Sequence, residues 1–311
     1  MNEIYDQLWD YAERENLLAL LDRDSRGDAT RPPVFQKQHS DCNILLPSSA
    51  NAMTRKKIVG VLARRHRWFR SMKSSQALAQ SAFANLVVAG QFDALNNLPT
   101  DQGLPAFGMD LGRASAQLEY EVGFLNEPMP TSVDVLISGA RRVAVECKFT
   151  ESSFGQCSRP GMRPEKKNYQ RDHCDGSYTR QRGREDRCSL SERGIAYWRH
   201  APRLFRWKND RDYESCPLRF TYQIARNLLA ACVGADGAAD IESAHALVIY
   251  DHRNPAFQRG GDACDQFRSA RDALRDSSLL RSCSWQALTA ALADNPPTEW
   301  LARQLARKYG F

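Results

Sequence analysis

The sequence predicts an α/β protein: a central mixed β-sheet flanked by helices, with a helical N-terminal region and a basic, cysteine-bearing insertion. Three observations predict it. Segments 117–125, 132–137 and 142–149 follow one another and alternate apolar with polar residues, the period of a strand with one buried face. Segments with a helical apolar period lie on both sides of that run. Between about 151 and 217 the chain turns polar and basic with little periodicity. Helix, three strands, insertion, helix, strand, helix is an order that suits a mixed sheet between helical layers.

Taken in order, Ile4, Leu8, Tyr11, Leu18 and Leu21 recur at helical spacing among charged residues, which predicts an N-terminal helix. Asp22 to Pro33 reads as a loop. Arg55 to Met72 reads as a basic helix. A second helix is expected from Ser74 or Ser75 to Val88, with Gly90 placed to end it. Pro99 to Gly112 is rich in turn residues. Beyond the insertion, 218–233 and 262–279 carry helical patterns, 244–250 reads as a buried strand, and 299–309 as a terminal helix. The expected division is a helical region over 1–73 and a core over 74–311 that contains the insertion 151–217.

The chain has 311 residues, 42% hydrophobic and 26% charged, which suits a globular protein with a substantial core. Its longest apolar runs fall far short of the ~20 residues of a membrane helix, and the first residues do not resemble a signal peptide. Nine cysteines are an odd number in a chain large enough to fold without staples, so reduced thiols in a cytoplasm are expected. The net charge is only +6, but it is unevenly spread. Residues 54–74 hold eight basic residues and no acid; residues 159–211 hold fifteen basic against seven acidic. Such clusters attract a polyanion, and Arg64, Arg65, Arg67, Lys166, Lys167 and Arg226 are the expected nucleic-acid contacts.

The chemistry concentrates in one hairpin. If strands 132–137 and 142–149 turn about Ala140, facing residues have numbers that sum to 280. Val133, Val135 and Ile137 then meet Cys147, Val145 and Val143 on one apolar face, and Asp134 meets Glu146 on the other. Directly opposed residues have Cβ atoms about 4.5–5.5 Å apart. Two carboxylates that close repel unless a cation lies between them, and a hard divalent ion with oxygen ligands is the natural partner. Lys148 projects from the same face as Glu146 and would orient or deprotonate water and stabilise charge on a phosphate.

The run Ser132-Val133-Asp134, eleven further residues, then Glu146-Cys147-Lys148 resembles the signature of the PD-(D/E)xK nucleases, whose core is the restriction-endonuclease-like fold. Ser132 and Val133 stand where that signature has its variable proline. The resemblance implies that Asp134, Glu146 and the backbone carbonyl of Cys147 bind catalytic Mg²⁺ (or Mn²⁺), and that Lys148 assists the attacking water. Segments 71–79, 148–151 and 222–227 are similar to bacterial putative restriction endonucleases. Many such nucleases use a further acid upstream; Glu119 and Glu121 are the candidates here, with Glu121 preferred. In RecB-like relatives a glutamine on the following helix lies near the active site, a place Gln223 would take. Those relatives carry a tyrosine four residues later, where this chain has Asn227.

Cys157, Cys174, Cys188 and Cys216 all fall in the insertion, and a segment so poor in apolar residues gains from a metal as organiser. Four thiolates would suit structural Zn²⁺ or an iron–sulfur cluster, although no pair has the short Cys-x-x-Cys spacing. Cys147 and Cys232 read as packing residues. The function expected is a cytoplasmic, Mg²⁺-dependent nuclease acting on nucleic acid, with DNA first, and the resemblance adds a setting in restriction or defence. The alternatives are a catalytically silent nucleic-acid-binding protein of the same fold and a metal-dependent phosphohydrolase of small substrates.

Overall fold

The computed structural model describes residues 2–22, 30–62, 64–128, 130–234 and 237–311. Five strands form one sheet in the order β1 (Ser115–Val122), β2 (Thr131–Ser138), β3 (Arg142–Cys147), β4 (Ala244–Tyr250), β5 (Leu280–Ser284). β1, β2 and β3 are antiparallel neighbours; β3, β4 and β5 are parallel. The expected mixed sheet is therefore present. Parallel strands need helical crossovers, and helices between β3 and β5 supply them on one face while the N- and C-terminal helices cover the other. β3 and β4 are accordingly buried along nearly their whole length.

Two cores result. On one face Val135, Ile137, Val143, Val145, Cys147, Leu247 and Ile249 pack beneath α1 (Asn2–Arg14), α2 (Ala52–Val59), the helical run from Ser75 to Ala89, and two further helices, α9 (Trp285–Ala293) and α10 (Glu299–Tyr309). The run 75–89 comprises α3 (Ser75–Ala79), a π-helical turn (Gln80–Ala84) and α4 (Asn85–Ala89). Ser74 caps it by accepting the Ala77 N–H, and Gly90 closes it at φ +65°. Residues of the expected N-terminal region share this core with the sheet. On the other face Leu136, Ala144, Ala246 and Val248 pack against α6 (Tyr197–Leu204), α7 (Leu218–Cys232) and α8 (Asp262–Ala273).

The structure corrects several expectations. The basic helix stops at Val59, where Gly60 follows. Residues 64–72 instead form turns, held from a distance: buried Asn43 donates to the carbonyls of Phe69 and Ser71. The helix expected over 262–279 ends at Ala273. The predicted loop 22–33 lies mostly outside the described residues. The insertion does carry a core: Tyr178, Tyr197, Trp198 and Phe205 join the second cluster. Its charges are partly internal, since Arg159, Arg171 and Arg193 converge on buried Asp172, the last residue of the short helix α5 (Tyr169–Asp172). No helix among the described residues is long and apolar enough to cross a membrane.

Candidate active site

The hairpin register is the one expected: Val135 pairs with Val145, Ile137 with Val143 and Ser138 with Arg142. The face assignment fails at one end. Val133 lies in the second core while Val135 lies in the first. β1 changes faces at the matching place, with Leu118 in the first core and Val122 in the second. The cause is Glu119, whose φ of +50° puts a non-glycine residue in the left-handed region and breaks the alternation. Glu119 lies across from Asp134 at this switch, because its neighbours pair as Leu118 with Val135 and Tyr120 with Val133. Its carboxylate is fixed on both sides, by Gln76 Nε2 at 2.8 Å and Ser132 Oγ at 2.8 Å.

Asp134 is held by the backbone of the opposite strand: the Cys147 N–H donates to its Oδ2 at 2.6 Å. Glu146 is only 4% exposed and Lys148 6%. The polar face of the hairpin is therefore not solvated, because α7 lies over it. From that helix Gln223 Nε2 donates to Glu146 Oε1 at 2.6 Å, and Asn227 Nδ2 donates to Oε2 at 2.6 Å. Gln223 Oε1 accepts from Lys148 Nζ at 2.8 Å, and the lysine forms an ion pair with Glu146 at 2.9 Å. The Lys148 carbonyl is fixed by the indole N–H of Trp285. Gln223 and Asn227 are one helical turn apart, so both reach the same carboxylate.

Burial pushes the Asp134 carboxyl well above the usual range, and the charges of Glu146 and Glu119 push it further. Burial would lower Lys148, but Glu146 and Glu151 hold it above its ordinary value, so it stays an ammonium. The site is thus rich in negative charge with one fixed cation. Hard oxygens on Asp134 and Glu146 fit a divalent ion of the Mg²⁺ type, which takes one or two carboxylates from the protein and fills its remaining positions with water and phosphate.

These groups open into a groove of about 1550 Å³. Asp134, Glu146, Lys148, Gln223 and Glu121 line it, and so do Arg64, Arg65 and Lys73. Of the two upstream acids Glu119 is the one whose charge acts on Asp134; Glu121 is exposed and pairs with Ser132 in the sheet. Arg65 is tied to Asp41 and lies over the Phe69 ring. Arg67 stacks on Trp68, whose indole is 57% exposed in the groove. Arg226 is paired with Glu127 at 3.2 Å and does not line the groove. Lys166 and Lys167 are exposed on the insertion, outside the groove lining. Cys157, Cys174, Cys188 and Cys216 line a separate small cavity.

Sequence reasoning missed Ser75, Gln76, Glu151, Asn227 and Trp68 as parts of this site. Ser75 Oγ donates to Glu151 Oε1, and the Phe149 N–H donates to Oε2, which anchors the groove wall beside Lys148. Gln76 also accepts the His66 N–H, so it links the basic segment to Glu119. An aromatic residue inside an unbroken basic run was the available signal for Trp68.

A family model described as "Restriction Endonuclease associating with ARP" matches residues 25–310. No curated protein matches the chain, and no solved structure matches it.

Proposed function

The chain belongs to the family of restriction endonucleases associating with ARP, and from that premise we propose that it is a Mg²⁺-dependent nuclease that hydrolyses phosphodiester bonds of nucleic acid, DNA first. The observation that carries the reading is the Asp134–Glu146 pair with Lys148 beside it, at the base of a basic groove.

Asp134, Glu146 and the Cys147 carbonyl would hold the ion, with Glu119 as the nearest further acid. When bound, Mg²⁺ supplies positive charge against the phosphate and raises the acidity of water. The chain's own groups do the positioning. Gln223 and Asn227 keep both oxygens of Glu146 oriented. Lys148, hydrogen-bonded to Glu146 and Gln223 beside the pair, would orient water and stabilise charge on the phosphate. Arg64 and Lys73 offer charge to the phosphate backbone along the groove, and Trp68 offers a stacking surface to an unpaired base.

The test is incubation with circular duplex DNA, linear duplex DNA, single-stranded DNA and RNA, each with Mg²⁺, Mn²⁺ or EDTA. Cleavage that needs the metal and disappears in Asp134→Asn supports the reading. Binding without cleavage under all these conditions would replace it with a silent binding protein. Cleavage only of a small chromogenic phosphodiester would replace it with a phosphohydrolase.

A further inference from the structure

We propose that Cys157, Cys174, Cys188 and Cys216 bind one structural Zn²⁺ ion, separate from the carboxylate site. These cysteines are separated by sixteen, thirteen and twenty-seven residues, yet all four line one cavity of about 20 Å³. A cavity of that size has room for about one water-sized sphere. It suits a single ion and is too small for a four-iron cluster.

A second, independent observation points the same way. The Arg159 N–H is directed at the Cys157 sulfur, the Leu218 N–H at Cys216, and the Leu190 and Ser191 N–H groups at Cys188. In each case a donor comes from the residue two positions on, so three separate loops repeat one local geometry. Backbone donors aimed at a sulfur favour the thiolate, the form that ligates a metal. Among the described residues no backbone donor is directed at Cys232 or Cys283, which are buried as ordinary apolar packing.

The charge around the cavity also suits such a centre. A tetrathiolate zinc centre carries two negative charges, and Arg159, Arg187 and Arg219 line the same cavity. Each thiol would release its proton to solvent as its sulfur binds. Among the described residues no three or more His, Cys, Asp or Glu side chains already surround one point as a ligand set. The cavity therefore has to contract around the ion, to Zn–S distances of about 2.3 Å.

The experiment is elemental analysis of untagged full-length protein, purified with reducing agent and dialysed against EDTA, with zinc release followed on titration by a mercurial. The expected result is one zinc per chain, released as thiols are consumed. Cys174→Ser and Cys188→Ser should each lose the zinc and open the insertion to protease before the core, whereas Cys264→Ser should keep both. Metal-free, folded wild-type protein with its thiols freely titratable overturns the proposal. So does iron with sulfide, or equal zinc loss in Cys264→Ser. If the serine variants do not fold, the wild-type stoichiometry and mercurial release decide alone.

Discussion

Asp134 takes the N–H of Cys147 at 2.6 Å, so one carboxylate of the site is positioned by the backbone of the strand that carries the other. The arrangement holds buried Glu146 and half-buried Asp134 together, with Lys148 as the only basic group hydrogen-bonded to either among the described residues. Such a crowding of charge marks a candidate functional site.

Asp134→Asn should therefore stabilise the metal-free protein, by about 1 kcal/mol, while abolishing cleavage. The amide retains an acceptor for the Cys147 N–H and removes a charge that burial, Glu146 and Glu119 all oppose. Thermal unfolding in EDTA beside a cleavage assay checks both halves. A lower melting temperature would show that the carboxylates are not in conflict.

Glu146 requires a gentler substitution than alanine. Removing it leaves a buried lysine ammonium uncompensated, a loss of about 3–5 kcal/mol. Glu146→Gln should fold and be inactive, whereas Glu146→Ala should be inactive and clearly less stable. Chemical denaturation of both variants beside the wild type checks this, and a Glu146→Ala variant as stable as the wild type would contradict the ion pair seen here.

Substrate affinity should fall with salt, with a slope of about −0.9 in log K against log salt per duplex phosphate neutralised. Arg64→Ala and Lys73→Ala should flatten that slope. Trp68→Ala should weaken binding to single strands with the slope unchanged, because stacking releases no counterions. Arg226→Ala, buried against Glu127, should lower stability instead. Fluorescence titrations at several salt concentrations test the first three, and thermal unfolding tests Arg226→Ala.

Lys308 predicts a pH effect remote from the site. It is fully buried, donates to the backbone and side-chain oxygens of Asn43, and is lowered by burial to about 7. The unfolded lysine keeps its proton up to about 10.4. Between these values the unfolded chain binds the extra proton, so this group's contribution makes stability rise with pH, by at most about 1.4 kcal/mol per unit. Lys308→Met should lack that rise. Unfolding free energies of both proteins from pH 6 to 9 should diverge, and parallel curves would mean that the lysine is charged throughout.

The hairpin and its register over Val135–Ser138 and Arg142–Val145 were legible because apolar residues recur at every second position on both sides of a short turn. The face switch was not, since no glycine marks Glu119; its left-handed backbone is held by Gln76 and Ser132, partners that only the fold brings near. β5 went unread because Leu280–Ser284 carries an arginine and three small polar or thiol residues within five positions. Gln223 was legible only through the resemblance to RecB-like nucleases, while Asn227 looked like a departure and proves to share Glu146 with it.

The packing around Phe149 also sets an order of events during synthesis. Phe149 follows Lys148 and lies edge-on against Tyr309 and Phe311, while α1 reaches the end of α10 through Gln7 and the Arg307 carbonyl. The strand that carries Glu146 and Lys148 is thus seated partly by residues translated about 160 positions later. A nascent chain stalled before α10 would hold every acid of the site without the packing that aligns them. Cleavage competence is expected to arrive late, once α10 has left the ribosome and packed, and a cell making such an enzyme would be spared cutting by shorter nascent copies. Ribosome-bound chains arrested at Asn295 that cut as fast as released protein would remove that protection.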